Sequence, residues 1–217
     1  MEKVISIVGA GGKTTLVHKL AREYHRSGKG VLVTTTTHMY VEADTDLSCD
    51  FFALRDKIIK DGYCMAGQKI SEQKKQKMCG LPYDLLDKLI KDMPQALDYV
   101  IIEADGAKHH SLKYPAADEP VIYPGTTDVI IVLGTWEKGR SCKDVVFRYE
   151  LMQKELGTAE DAVVDDSVTY ACYAWNKLCK RELFDTIRFP VGRVMEDLGI
   201  AYKILFDAGQ IAYSDEP

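Results

Sequence analysis

The densest run of chemistry-bearing residues is Gly9-Ala10-Gly11-Gly12-Lys13-Thr14-Thr15. Glycines let backbone N–H groups crowd around phosphate oxygens with no Cβ in the way. Lys13 is placed to reach the β- and γ-phosphates of a nucleotide, the Thr14 hydroxyl to ligate Mg2+, and Thr15 to donate to an α-phosphate. The run stands between a short apolar strand, Val4-Ile5-Ser6-Ile7-Val8, and a helical pattern. In that context the helix N-terminus adds its partial positive charge to the same spot. A standard Walker A spacing would need glycine where Ile7 stands, whereas only Ala10 and Gly11 separate Gly9 from Gly12. The competing reading is a glycine-rich turn with an exposed lysine; strand, Gly-Lys-Thr-Thr and helix together favour the phosphate site. The expected ligand is a nucleoside triphosphate, ATP with Mg2+ ahead of GTP.

A phosphate loop of this kind needs an acid at the end of a second strand, to hold the metal or to activate water. Glu103 and Asp105 follow the apolar run Val100-Ile101-Ile102. They are two residues apart, so an extended backbone turns both to one side. Either can serve as catalytic or metal-binding acid, with Glu103 favoured because it ends the run directly. Thr34-Thr35-Thr36-Thr37-His38 leaves another strand at its carboxyl end, where parallel sheets place ligands. Thr36, Thr37 and His38 are therefore expected to face a γ-phosphate or a second substrate, although threonine also simply favours strands. Lys108 and Lys113 are expected to hold an anionic group. A transition-metal site from His38, His109 and His110 is the weaker alternative, because adjacent histidines tend to point apart. Arg140 and Arg148 offer charge, but nothing in their spacing singles them out.

The elements that must position these residues alternate. Helical spacing of Leu16, Val17, Leu20, Ala21 and Tyr24 ends at Gly28-Lys29-Gly30, and Val31-Leu32-Val33 opens a second strand. Further strands are expected over 50–54, 63–66, 98–102 and 128–133, with helix over 55–61, 82–93, 148–156 and 167–181. Pro82 suits a first helical turn. The polar run 69–77 reads as a solvated loop or helix face, and 107–127 as a long loop without periodicity. Strands joined by helices imply right-handed crossovers and a parallel sheet. The fold class is α/β, a three-layer P-loop NTPase-like fold with a mostly parallel sheet. One domain is expected over 1–217, mainly helical from about 147.

The chain of 217 residues is long enough to bury roughly 70% of its unfolded surface. Its net charge of −5 and isoelectric point near 5.6 argue against a nucleic-acid partner. Its apolar runs are far shorter than the ~20 residues of a membrane helix. Six cysteines include no CxxC pair, and no leader precedes the first strand, so reduced thiols and a cytoplasmic location are expected.

Gly-Ala-Gly-Gly-Lys-Thr-Thr at 9–15, Val-Thr-Thr-Thr-Thr-His-Met at 33–39 and the acidic segment 103–124 occur in that order. Together they resemble the YqeC-like selenium-dependent hydroxylase accessory proteins, over roughly the first 150 residues and including Arg148-Tyr149-Glu150. The resemblance implies a nucleotide-binding protein associated with maturation of a molybdenum hydroxylase, with that client or its cofactor as partner. It carries over to Gly9, Gly11, Gly12, Lys13 and Thr14, to Thr35 through His38, and to Glu103, Asp105, Gly106, Ala107, Lys113, Pro115, Glu119 and Pro120. The C-terminal third departs from it: Asn176-Lys177, followed by Leu178-Cys179, sits in a helical pattern where an NKxD-like guanine signal would follow a strand. The shortened loop is also similar to that of Mur-type and folylpolyglutamate-type ATP-dependent ligases. Three activities stay open: slow Mg-ATPase, small-molecule kinase or ligase-type transferase, and non-catalytic nucleotide or cofactor carrier.

Overall fold

The computed structural model describes residues 3–70, 77–132, 134–157, 159–164, 179–180 and 182. They cluster into two compact units that interleave along the chain. The first holds the residues up to Ile7, Lys13–Gly106 and Val121–Asp128. The second holds Val8–Gly12, Ala107–Pro120 and the described residues from Val129 onward.

The first unit begins with β1 (Lys3–Gly9), α1 (Lys13–Arg26) and β2 (Val31–Thr35). It continues through β3 (His38–Tyr40), α2 (Phe51–Asp61), β4 (Tyr63–Met65), β5 (Gln68–Lys69) and β6 (Lys77–Cys79). It closes with α3 (Tyr83–Asp92) and β7 (Tyr99–Glu103). Strands β1, β7, β2 and β4 lie side by side in that order, all parallel. Val4, Ile7, Val31 to Val33 and Val100 to Ile102 are buried, as expected where helices cover a parallel sheet. Helix α1 packs against β7 and β2 through Val17 and Ala21, and α2 against β4. Burying side chains such as Leu86 and Leu89 of α3 contributes about 1.5–3 kcal/mol each. The α/β class with a mostly parallel sheet thus stands as read from the sequence.

In this first unit two readings need correction. The segment 50–54 is not a strand. Asp50 is the N-cap of α2, its carboxylate accepting from Ala53 N–H at 2.8 Å, and Phe51 to Leu54 form the first turn. Cap and left-handed Gly62 bracket the helix, and they outweigh the apolar run. The ends of the polar run 69–77 are also ordered, since β5 and β6 pair antiparallel with each other and β6 with β3. Residues 71–76 lie outside the described residues.

The second unit contains the loop Val8–Gly12, β8 (Leu112–Lys113), β9 (Asp128–Val132) and a 3-10 turn, Thr135–Glu137. Then come α4 (Cys142–Val145), β10 (Val146–Phe147), α5 (Tyr149–Leu156) and β11 (Cys179–Lys180). Strands β8 and β10 pair in parallel. Leu112, Val145, Val146, Tyr149, Met152 and Val164 form the unit's core. The long loop expected over 107–127 is thus anchored by β8. Of the helix expected over 167–181, Cys179 and Lys180 instead form β11, whose backbone groups pair with the edge of β9. Asn176-Lys177 and the rest of that helix lie outside the described residues. No helix among the described residues is long and apolar enough to cross a membrane.

Candidate functional site

Within the first unit, Thr14 sits in the first turn of α1 and Glu103 ends β7. Their side chains meet, Thr14 Oγ1 donating to Glu103 Oε2 at 2.7 Å. Lys13, Glu103 and Asp105 are all buried, at 6%, 7% and 4% exposure. Burial drives the Glu103 carboxyl above its ordinary value of 4.5; the Thr14 hydrogen bond and the charges of Lys13 and His18 oppose that, and Asp105 adds to it. One cationic side chain and two carboxylic ones are thus kept out of water together. His18 was not among the expected residues. It lies four residues after Thr14, one turn along α1, a spacing that marks no site until the helix is placed beside Glu103. Its Nε2 is 3.4 Å from Glu42 Oε1.

The threonine run organises the exit of β2 beside the end of β7. Thr35 Oγ1 donates to Glu103 O at 2.6 Å and accepts from Thr37 N–H at 3.0 Å. Thr36 N–H also donates to Glu103 O at 3.1 Å, while its hydroxyl donates to Val121 O at 2.5 Å. Thr34 Oγ1 accepts from Leu81 N–H at 3.3 Å. These hydroxyls replace ladder partners where β2 leaves the sheet, and so fix the backbone that carries Glu103. His38 is an exposed residue of β3, opposite Cys79.

The glycine loop needs its glycines. Gly9, Gly11 and Gly12 have φ of 92°, 73° and 104°, in the region that side chains disfavour. In the second unit a Cβ on Gly9 would stand 2.2 Å from Val132 O, and one on Gly11 2.7 Å from both Gly134 Cα and Ser111 O. Ala10 is buried and its N–H donates to Val132 O at 2.9 Å. Thr15 follows, exposed, in the first turn of α1.

Of the lysines expected to hold an anion, Lys113 has its Nζ 2.6 Å from Glu119 Oε2. Arg148 grips the same carboxylate with both terminal nitrogens, Nη2 at 3.0 Å from Oε1. Burial alone would raise the Glu119 pKa, but these two cations outweigh it and bring the group to about 2. Lys108 is exposed, its Nζ 5.3 Å from the centre of the Phe147 ring. Among the described residues, no three His, Cys, Asp or Glu side chains are grouped to hold a metal ion.

No solved structure matches the chain. Over 170 residues it is 32% identical to "Uncharacterized protein YqeC" of Escherichia coli (strain K12), a match covering 74% of this chain and 63% of that relative's length. A family model described as YqeC protein matches residues 5–150, which include the glycine loop, the threonine run, Glu103 of β7 with Asp105 after it, and the Glu119–Arg148 pair. The chain belongs to the YqeC family.

Proposed function

We propose that residues 9–15 bind a nucleoside triphosphate, ATP in preference to GTP, together with Mg2+, and that the protein hydrolyses it slowly. The observation that carries this reading is the 2.7 Å bond between Thr14 and Glu103. A hydroxyl opening a helix after a glycine loop and a carboxylate ending the neighbouring strand are the two protein groups a phosphate-loop site brings to its metal. All the donors there, the Thr14 hydroxyl and the Glu103 and Asp105 carboxylates, are oxygen, which suits Mg2+. Bound Mg2+ would neutralise phosphate charge, and a few protein ligands suffice because Mg2+ keeps several waters. Lys13 supplies charge to the β- and γ-phosphates, and N–H groups of the loop beyond Ala10, whose own N–H goes to Val132 O, hold the oxygens between them. The buried carboxylate of Glu103 or Asp105 orients the attacking water. Rate in such sites comes from positioning and charge, so turnover without a partner is slow. The family resemblance supplies the context we propose for that turnover, service to a molybdenum hydroxylase client or its cofactor.

Titration calorimetry with ATP and GTP, with and without Mg2+, tests the reading. Wild type is expected to bind ATP in a Mg2+-dependent way. Lys13→Ala should lose about 2–5 kcal/mol, at least roughly 30-fold in affinity. Absence of nucleotide binding by the wild-type chain would overturn the proposal. Product carrying a transferred phosphate or a new amide, in place of free phosphate, would replace hydrolysis by a transferase reading.

A further inference from the structure

Trp136, in the second unit, is the most exposed aromatic residue among the described ones, at 60%. The loop and the indole are connected by close packing. A Cβ on Gly11 would stand 2.7 Å from Gly134 Cα, and a Cβ on Gly134 would stand 3.1 Å from Trp136 Cη2. Gly134 therefore lies between the loop and the six-membered ring of the indole.

The turn that carries the ring is also held in place. The turn Thr135–Glu137 is tied down by Ser111 Oγ, which donates to Glu137 Oε1 at 2.6 Å, and by Arg140 Nη1, which donates to Glu137 Oε2 at 2.9 Å. Gly134 N–H donates to Ser111 O at 3.0 Å, so the strand exit on one side of Trp136 and the turn on the other share Ser111 as a common anchor. A large apolar ring left in water yet fixed at its base is arranged for a flat partner, because its ordering cost is met before binding.

A nucleotide whose phosphates occupy residues 9–12 must send its sugar and base out of the loop on some side, and on the side of Gly134 the exposed indole of Trp136 is at hand. We propose that Trp136 is the platform on which the base of the bound nucleotide stacks. This inference rests on the nucleotide reading above. Stacking needs only a π-face, so it holds purine bases without reading their edges. The polyphosphate end is served by residues 9–15 and the metal, without the indole.

The full-length chain, titrated with Mg-ATP and separately with Mg-tripolyphosphate, separates the two claims. Trp136→Ala is expected to weaken Mg-ATP roughly 5- to 100-fold, the range for loss of one aromatic–base stack. Mg-tripolyphosphate, which has no base, should bind this variant as it binds wild type. Trp136→Phe should keep ATP affinity within a few-fold, and it guards against a variant that merely folds poorly. ATP affinity unchanged in Trp136→Ala would overturn the stacking inference while leaving the nucleotide reading intact. Equal loss of ATP and tripolyphosphate would overturn it too, assigning Trp136 to support of the loop. Wild-type protein that binds neither would end the nucleotide reading itself.

Discussion

The Thr14 hydroxyl spends its proton on a carboxylate that burial discourages from being an anion. An arriving divalent cation would relieve both groups, offering Glu103 a stronger partner and letting Thr14 turn a lone pair to the metal. Thr14→Val keeps the shape and β-branching while removing that oxygen. Mg2+ dependence of ATP binding is expected to fall by on the order of 10- to 100-fold or more, since even outer partners of metal sites are worth that much. Thr14→Ser should keep it. Calorimetric titration of Mg2+ in the presence of ATP decides the matter; a Val variant with wild-type Mg2+ dependence would remove Thr14 from the metal. Thr14 and Glu103 were both legible in the sequence because each sits at a predictable boundary, one opening a helix and one ending an apolar strand. His18 was missed, since a lone histidine inside a helical pattern carries no signal until its turn of helix is placed beside Glu103.

At the scale of elements, the strand–glycine loop–helix was readable because period, breaker and helix start agree in 4–26. The start of α2 was not. Phe51-Phe52-Ala53-Leu54 is a short apolar run that periodicity cannot assign, and only its flanks, Asp50 and Gly62, decide it. The two-residue strands β5, β8 and β10 were beyond reading, because pairing between distant segments makes them and no local pattern of two residues can. The glycine loop makes the sharpest demand on sequence of any element. At Gly11 a positive φ and backbone crowding coincide, and alanine there would cost about 1–3 kcal/mol for the conformation alone. Gly11→Ala is expected to lower thermal stability and to lose ATP binding. Gly139→Ala has a positive φ but open space around it, and should show the first effect without the second. Equal ATP affinity in wild type and Gly11→Ala would show that the loop does not approach phosphate closely.

For the molecule as a whole, composition bounded the charge and size, while the balance of stability with pH depends on two carboxylates that composition cannot distinguish. Glu103 has a pKa raised in the folded chain, so its contribution is fully present below about 4.5 and is lost as pH rises through the folded value. Glu119 runs the other way: with a folded value of about 2, its contribution is present above 4.5 and is lost as pH falls toward 2. Melting temperatures of Glu103→Gln and Glu119→Gln, compared with wild type from pH 2 to pH 8, should therefore differ from it with opposite sign. Glu103→Gln should melt higher at neutral pH, with the gap closing below about pH 4.5. Glu119→Gln weakens the hold of Arg148 and Lys113, a loss of about 2 kcal/mol or roughly 4–8 °C at neutral pH. That deficit should close as wild type itself protonates near pH 2. Were Glu103→Gln instead less stable at neutral pH, the Glu103 anion would be stabilised by the fold, and the raised pKa would have to be abandoned.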